Sequence, residues 1–427
     1  MRRFLLHIVF GVAVGVVLFL FRESLAPSLS ISSPERIGMV GRFTSDSLPL
    51  VIQEKLSTGI TKLGPDGAAA AGISSSWESK EDGRVWTFTI DPNLRWQDNS
   101  VITSKDIRYS FPDTRVIYPD TQKIEFHLKD PYTAFPILVS RPIFKKGLLG
   151  NRNWKVKKIN FDGQLIRELL IEDKETLEQE FYRFYESEQN LRLAFKLGEV
   201  DKIFEISNAK EFFDWKNIKI DQVLKEQRFV GIFLNNDDPR LSDKSFRQAL
   251  AYAIDKNSFG QNRALSSVSP LSWAYNPLVK EYEYNPTRAK ELFNQIKREQ
   301  QPKTIMIATI PSLLDVAEVV AKGWREVFGI EVVIQVAAGI PENFQALLAT
   351  QEIPPDPDQY SMWHSTQKET NITHYNSPRV DKLLEDGRRT LDIEGRRRIY
   401  IDFQRFLVEE LPVIFLYHPI TYTISRK

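Results

Sequence analysis

The residues that could do metal or nucleophilic chemistry are few and widely spaced in this sequence. The five histidines include no pair at the i, i+4 spacing of a helical metal site. Histidines in aromatic segments, such as His364 and His374, are more often hydrogen-bonded core or rim residues than metal ligands. None of the 427 residues is a cysteine, which excludes disulfides, thiolate metal sites and cysteine nucleophiles. We therefore expect no metal site and no cofactor.

Two pairs of carboxylates, Asp237/Asp238 and Asp356/Asp358, could in principle serve acid–base hydrolysis. Each pair stands beside proline or asparagine, where aspartate ordinarily forms turns. The sequence contains neither a Gly-x-Ser-x-Gly elbow nor a phosphate-binding glycine loop. We therefore expect a protein that is not an enzyme, and a hydrolase of cell-wall material that uses a carboxylate pair is the less favoured alternative.

Two segments, Ser269–Asn276 and Asp356–His364, combine Trp or Tyr rings with amide and carboxylate groups outside regular structure. Such a combination is what a ligand cleft needs, because the rings supply area to bury and the polar groups orient the ligand. The alternative is that both loops merely cap a large lobe, and composition alone does not separate the two interpretations. We refer to these segments as the first and second aromatic loops.

Strands and helices in alternation must position these loops. Period-two alternation predicts strands at 84–90 and 123–128. Helices are predicted from periodicity and proline starts at 243–255, 287–298, 313–328, 378–390 and 393–410. Strands predicted at 304–309 and 330–336 flank the third helix, which gives a β-α-β crossover unit. The predicted class is α/β with two lobes.

The first thirty residues predict a membrane anchor. An apolar run at 4–21 follows Arg2 and Arg3, which place the N-terminus in the cytoplasm and the bulk of the chain outside it. A cleaved signal peptide is the alternative, although Pro27 would stand unfavourably after the cut. Fifty-seven basic against 56 acidic residues give a net charge of +1, so we expect no nucleic-acid partner.

Short blocks along the chain carry a resemblance to one family. They are Trp77–Gly83, Trp86–Phe88, Leu94–Trp96, Thr103–Ile107, Leu193–Asp201, Val230–Asn235, Phe246–Asp255, Asn376–Leu384 and Leu411–Tyr417. In these blocks the chain resembles the extracytoplasmic solute-binding proteins of peptide-type ABC importers, the family of oligopeptide, dipeptide and nickel binders known as solute-binding protein family 5. The likeness covers about residues 37–420 in the expected order.

The resemblance implies a periplasmic-binding-protein-like clamshell of type II, in which two lobes close on a ligand and exclude water. The implied domains are an anchor or signal segment at 1–30, lobe I at 31–228, lobe II at 229–410 and a return strand to lobe I at 411–427. Hinges are expected near 229–236 and 409–417. The short stretch at 111–120 implies a reduced extra subdomain in lobe I.

The implied function is capture of a peptide, or another medium-sized solute, for import. The implied partners are ABC permease and ATPase subunits, and the protein is expected to be a monomer held at the cell membrane by a single span. A receptor or scaffold ectodomain that uses the fold without transport is the alternative. The acidic residue that holds a peptide's amino terminus in the oligopeptide binders is replaced here by Ile353, counted back from Asp356-Pro357.

The expected ligand contacts lie in the loop after the first strand, at the crossing between lobes and in the second lobe. Aromatic side chains would stack on apolar parts of the ligand, and the others would form hydrogen bonds with it. The candidates are Thr44, Ser45, Asn235, Trp273, Asn276, Glu352, Asp358, Trp363 and His364.

Overall fold

The computed structural model describes residues 33–427, except for 261, 300, 338, 340 and 342. The strands, numbered in chain order, are β1 (Glu35–Val40), β2 (Thr61–Leu63), β3 (Ala69–Ala71), β4 (Ser74–Lys80), β5 (Val85–Ile90), β6 (Arg115–Ile117), β7 (Lys123–His127), β8 (Trp154–Asp162), β9 (Leu165–Asp173), β10 (Gln179–Tyr185), β11 (Lys202–Ile206), β12 (Ile218–Leu224), β13 (Arg228–Leu234), β14 (Thr304–Thr309), β15 (Glu331–Val336), β16 (Ala346–Glu352), β17 (Val413–Tyr417) and β18 (Ile420–Arg426). The α-helices are α1 (Leu50–Leu56), α2 (Phe135–Leu138), α3 (Glu188–Leu197), α4 (Lys244–Tyr252), α5 (Pro286–Gln295), α6 (Leu314–Phe328), α7 (Tyr360–Trp363), α8 (Pro378–Arg389) and α9 (Ile393–Glu410).

The contacts among the described residues divide the chain into two compact units. The first unit combines the described part of the chain up to Asp46 with Asn153–Ile203, and the second combines Ser47–Arg152 with Phe204–Lys427. The lobe boundary predicted at 228/229 coincides with none of the three breaks between these segments. The predicted lobe boundaries therefore stay a prediction.

Five neighbouring strands of a mixed sheet, in the order β11-β1-β10-β9-β8, frame the first unit. Strand β1 runs parallel to β10 and β11, whereas β9 is antiparallel to both β10 and β8. Helix α3 begins after Ser187, whose side chain accepts a hydrogen bond from Asn190 N, and ends at Gly198 with a φ of 76°. The helix packs so closely on β1 that a Cβ atom at Gly38 would collide with Leu191.

The largest sheet of the second unit has the strand order β15-β14-β16-β13-β17. Strand β14 is parallel to β15 and β16, and helix α6 connects β14 to β15, so the predicted β-α-β crossover is present. Trp324 on α6 is buried, and its indole Nε1 donates a hydrogen bond to Leu250 O of α4 at 3.0 Å. Strand β13 is antiparallel to β16 and β17.

Three smaller β arrangements belong to the second unit, and the antiparallel pair β2-β3 is the shortest of them. The antiparallel sheet β4-β5-β7-β6 carries its own core of aromatic rings, in which Phe126 and Phe135 lie 5.0 Å apart between ring centroids. Strands β12 and β18 form an antiparallel pair along their whole length. The chain passes from β12 to β13 through residues 225–227, and from β17 to β18 through residues 418–419.

Most predicted elements lie where the sequence pattern placed them, with shifts at their ends. The helix predicted at 287–298 ends at Gln295, because Ile296 has extended backbone angles. The helix predicted at 243–255 ends at Tyr252. The predicted return segment at 411–427 contains two strands, and its first, β17, pairs with β13 rather than with β12.

The predicted membrane anchor at 1–30 lies outside the described residues. Within residues 33–427, apart from the five omitted positions, no helix combines the length and the apolarity that crossing a membrane requires.

Candidate functional site

A partly open pocket of about 140 Å³ lies in the second unit, and its lining is mainly apolar. Three segments and one further side chain surround it. They are the β2–β3 turn (Leu63–Gly67), the residues Ser269, Leu271 and Ser272 of the first aromatic loop, the segment Ile353–Pro355 after β16, and Gln227. An apolar concavity with a few polar groups is the usual form of a small-molecule site.

The β2–β3 turn is built by its own hydrogen bonds. Gly64 N donates to Ala68 O at 2.7 Å, and Asp66 Oδ1 accepts from Ala68 N at 3.1 Å. Gly67 has a φ of 79°, and a Cβ atom there would lie 3.0 Å from Pro355 O. Glycine therefore allows both the turn and its close approach to the segment after β16.

The segment Ile353–Pro355 forms the wall opposite this turn. Ile353 N donates to Gln227 O at 2.7 Å, which extends the pairing of β13 and β16 by one residue. The Ile353 side chain is 5% exposed. Pro354 and Pro355 have no backbone N–H, so this wall presents carbonyl oxygens and apolar carbon but few donors.

Two buried ion pairs hold the residues that follow this wall. Asp356 accepts two hydrogen bonds from Arg396, at 2.7 and 3.1 Å, and Arg396 Nε donates to Gly387 O at 3.0 Å. Asp358 accepts from Arg388 Nε at 2.8 Å, and its side chain is 2% exposed. These bidentate and charge-assisted contacts fix the backbone of the second aromatic loop.

Burial and the charge of the partner act in opposite directions on the pKa values of Asp358 and Arg396. Burial raises the pKa of Asp358, and the neighbouring Arg388 charge opposes that rise. Burial lowers the pKa of Arg396, but the Asp356 carboxylate outweighs this effect, so the Arg396 pKa lies above its usual value. Neither carboxylate belongs to the lining of the pocket.

Helix α9 anchors the first aromatic loop. Asn276 N donates to Gln404 Oε1 at 3.0 Å, and Asn276 Nδ2 donates to Ile401 O at 3.1 Å. Gln404 Nε2 donates in turn to Ala274 O at 2.8 Å.

Trp273 lies edge-on to Tyr400, and the two ring centroids are 6.4 Å apart. Arg396, Tyr400 and Gln404 are spaced by four residues, so one buried face of α9 supports both aromatic loops.

Trp363 and His364 lie inside the second aromatic loop. Trp363 is 1% exposed, and its Nε1 donates to Gln359 Oε1 at 2.8 Å. Gln359 Nε2 donates to Ser267 O, which ties this loop to the segment that leads into the first loop. The His364 ring stacks on Tyr360 with a centroid distance of 4.0 Å.

Asn235 and Glu352 make contacts at opposite ends of β13. Asn235 Nδ2 donates to Phe344 O at 3.0 Å, and its Oδ1 accepts from Asp237 N at 3.0 Å. Glu352 faces Arg228 directly across the β13–β16 ladder, and the two side chains form an ion pair. The Glu352 side chain is largely exposed.

Thr44 and Ser45 belong to the first unit. They follow Phe43, which bridges to Ile166 of β9, and both are half-buried. The structure thus describes these two candidates separately from the seven in the second unit.

The pocket brings together residues adjacent to several candidates rather than the candidates themselves. Ser272 precedes Trp273, and Ile353 follows Glu352. The ligand-binding role of the nine candidates stays a prediction. Sequence reasoning missed Leu271 and the β2–β3 turn as lining of the pocket.

No group of three or more His, Asp or Glu side chains within the described part of the chain is arranged to hold a metal ion. His364 Nδ1 lies 2.8 Å from Thr366 Oγ1, and its Nε2 lies 3.4 Å from Glu385.

Comparison with known proteins gives a family match. The model described as "Bacterial extracellular solute-binding proteins, family 5 Middle" matches residues 70–163 and 172–371, which is more than half of the chain. Among curated relatives, the probable D,D-dipeptide-binding periplasmic protein DdpA of Escherichia coli is 19% identical over 418 residues, covering 81% of this chain and 78% of the relative.

Solved structures share the fold over most of their length. NikZ from Campylobacter jejuni, solved with Ni(L-His), has a TM-score of 0.73 and 20% identity, with 92% of this chain and 94% of that chain covered. The oligopeptide-binding protein AppA from Bacillus subtilis, solved with a nonapeptide, has a TM-score of 0.71 and 19% identity, with 92% and 95% covered. These likenesses confirm the predicted α/β binding-protein fold.

The relatives are binding proteins rather than enzymes, which is consistent with the expectation of a non-enzyme. The expectation of an extracytoplasmic solute-binding component is confirmed. By the match over more than half of its length, this chain belongs to the bacterial extracellular solute-binding proteins, family 5.

Proposed function

We propose that this chain captures a peptide, or another medium-sized solute, in the apolar pocket of the second unit and delivers it to the permease and ATPase subunits of an ABC importer. The pocket is the main observation behind the proposal. It is an apolar concavity between three well-anchored segments, so a ligand could bury apolar surface there against walls whose backbone is already fixed. Two relatives support a peptide ligand: AppA was solved with a nonapeptide, and DdpA is described as binding D,D-dipeptides.

The proposed activity is binding without turnover. Asp356 and Asp358, the pair that a hydrolase would use, are each held by an arginine away from the pocket lining. A carboxylate that holds a guanidinium in a buried pair positions backbone more readily than it transfers protons. This arrangement favours the solute binder over the hydrolase.

The nine predicted contacts enter the proposal as candidates from both units. Trp273 and Glu352 are the nearest in sequence to the lining of the pocket. Thr44 and Ser45 are proposed contacts of the first unit. The remaining candidates, Asn235, Asn276, Asp358, Trp363 and His364, are also retained as proposed contacts. Among them, Asn276 ties the first aromatic loop, which contributes to the lining, to helix α9.

Location and assembly are also part of the proposal. A helix within residues 1–30 would tether a monomeric protein to the cell membrane, with the described residues on the extracytoplasmic side. The relatives' periplasmic location supports that side of the membrane.

The test is ligand-induced thermal stabilisation of the full-length protein, purified in detergent and screened with peptides of two to nine residues. A ligand that binds only the folded state raises the melting temperature, and the rise grows with the ratio of the ligand concentration to its dissociation constant. Leu271→Arg places a long charged side chain in the pocket, and Leu271 is 47% exposed, so the fold should tolerate the change.

Leu278→Arg is the matched control, because Leu278 is 90% exposed and lies outside the lining. We expect peptides to stabilise the wild type and the Leu278→Arg variant but not the Leu271→Arg variant. Equal stabilisation of all three proteins would remove the pocket from the proposal. Absence of stabilisation by any peptide would reject peptide capture itself.

A further inference from the structure

We infer that the pocket admits one uncharged apolar group of the ligand, about the size of a benzene ring, and rejects ammonium and carboxylate groups. The inference rests on the proposed function, because it names the ligand chemistry of that same pocket. Ile353, Leu271 and the β2–β3 turn are the residues that determine this specificity.

Ile353, the most buried residue of the lining, is the first reason to expect an apolar group in the pocket. Its side chain is 5% exposed and lines the pocket, and the hydrogen bond from its N–H to Gln227 O fixes the backbone there. A charged group against this wall would lose water without gaining a counter-charge, which is among the most costly forms of burial.

The uncharged polar side chains of the lining are Gln227, Ser269 and Ser272, and the two serines accept hydrogen bonds within their own turns. Ser269 Oγ accepts a hydrogen bond from Leu271 N at 3.2 Å, and Ser272 Oγ accepts from Ala274 N at 3.3 Å. Each hydroxyl therefore already serves the backbone two residues ahead of it. Because Pro354 and Pro355 lack N–H groups and the described residues of the lining include no cationic side chain, an anion would meet only neutral hydroxyl and amide donors there.

Asp66 is the one ionisable residue among the described residues that line the pocket. Its Oδ1 accepts a hydrogen bond from Ala68 N within the turn, and Asp66 is exposed to solvent. An ion pair at an exposed carboxylate is weak, because solvent screens it and ordering the side chains costs entropy. Asp66 is therefore a poor substitute for a buried partner of an ammonium group.

The volume sets the size of the group. A cavity of about 150 Å³ lined by apolar side chains holds one benzene molecule, and this pocket measures about 140 Å³. A leucine or phenylalanine side chain fits that space, whereas an alanine methyl group would leave most of it empty and forfeit contacts with the walls.

The experiment compares blocked tripeptides that differ only in the central side chain. N-acetylated, C-amidated Ala-X-Ala peptides with X as Leu, Phe, Ala, Lys or Glu are titrated against the full-length protein by calorimetry. We expect the Leu and Phe peptides to bind at least about tenfold more tightly than the Lys and Glu peptides, because the walls provide no buried counter-charge.

Charge-introducing variants then reverse the preference. Ile353→Glu should lower the ratio of Leu to Lys affinity by at least about tenfold, since it supplies the missing carboxylate. Leu271→Glu is the second variant, because Leu271 is 47% exposed and its replacement spares the core should Ile353→Glu fail to fold. Leu278→Glu, outside the lining, should leave the ratio unchanged.

Each outcome decides a different question. Wild-type affinities that are equal for the Leu, Lys and Glu peptides would overturn the inference but leave peptide capture standing. A wild-type preference for the Lys peptide that Asp66→Asn removes would also overturn it, because the pocket would then be a cation site. If none of the five peptides binds while longer natural peptides do, the pocket does not take an isolated side chain and the inference also fails. If no peptide of any length binds, the proposed function fails as well.

Discussion

The polar groups of the two aromatic loops and the apolar lining of the pocket differ in chemistry. The loops bury their charged and amide groups in closed pairs, as Asp356 does with Arg396 and Asn276 does with Gln404. The lining contains Leu271, an exposed residue of the first loop, and Ile353, which precedes the second loop, and both side chains are apolar. The polar groups of the loops are therefore internally satisfied, whereas the lining has apolar surface left for a partner.

This difference shows that polar and aromatic residues near a site can hold its backbone in place rather than contact the ligand. A buried polar group must be paired, and once paired it has little capacity left for a ligand. The following predictions test whether the polar groups of the loops contribute to stability and the pocket lining contributes to ligand binding. They run from the largest expected effect to the smallest.

Arg396→Met should cost the most stability. It would leave the Asp356 carboxylate buried without its two hydrogen bonds, and removing one partner of a buried ion pair costs about 3–5 kcal/mol. Urea unfolding of the variant checks this value. Arg397→Met, at an exposed position on the same helix, should change the free energy of unfolding by less than about 0.5 kcal/mol. Similar losses in both variants would show that the pair does not support the loop.

Lys256 sharpens the comparison, because it is a buried cation held by carbonyl groups instead of a carboxylate. Its Nζ donates to Tyr282 O at 2.6 Å and to Ala251 O. Burial, helped by the Arg263 charge, lowers its pKa from 10.5 to about 7. Between pH 7 and 10.5 the unfolded chain therefore binds more protons than the folded chain, so stability should rise with pH.

Unfolding measured at intervals across this pH range checks the sign of the effect. Lys256→Met removes the titrating group and should flatten the rise. A wild-type stability that falls between pH 7 and 9, or a rise that the variant retains in full, would contradict the assignment to Lys256.

Gln404→Leu should have an intermediate effect. It removes the acceptor for Asn276 N and the donor to Ala274 O, and an unsatisfied buried group costs about 1–3 kcal/mol. Chemical denaturation gives the loss, and Gln189→Leu on the exposed face of α3 is the control. If ligand affinity fell while stability did not, Gln404 would belong to the site rather than to its support.

Gly67→Ala should have the smallest effect on stability and a selective effect on binding. Both Gly67 (φ 79°) and Gly147 (φ 57°) have left-handed backbone angles, so alanine should cost about 1 kcal/mol at either position. Only at Gly67 would the new Cβ meet Pro355 O, whereas nothing lies within 4 Å at Gly147. Calorimetric titration should therefore show weaker ligand binding for Gly67→Ala alone. Equal affinities would mean that the turn does not shape the pocket.

Local sequence patterns predicted much of the fold. The alternation that marks β5 and the proline that begins α8 depend on residues a few positions apart, so they can be read without tertiary contacts. The ends of α4 and α5 were harder to place, because the last turn of a helix depends on what packs against it.

The pocket could not be predicted in the same way. Leu63, Leu271 and Ile353 are separated by more than eighty residues at each step, and only the folded chain brings them to one cavity. The direction of a side chain could not be predicted either. The sequence shows that residue 363 is a tryptophan, but not that it is 1% exposed and donates a hydrogen bond to Gln359. The role of Trp363 as a ligand contact stays a prediction.

The single helix face that supports both aromatic loops has an evolutionary consequence. Arg396, Tyr400 and Gln404 set the loop backbones without contributing a side chain to the lining. Substitutions at Leu271 should therefore change the surface of the pocket while the scaffold stays intact, whereas a one-residue insertion in the helix would displace both loops at once.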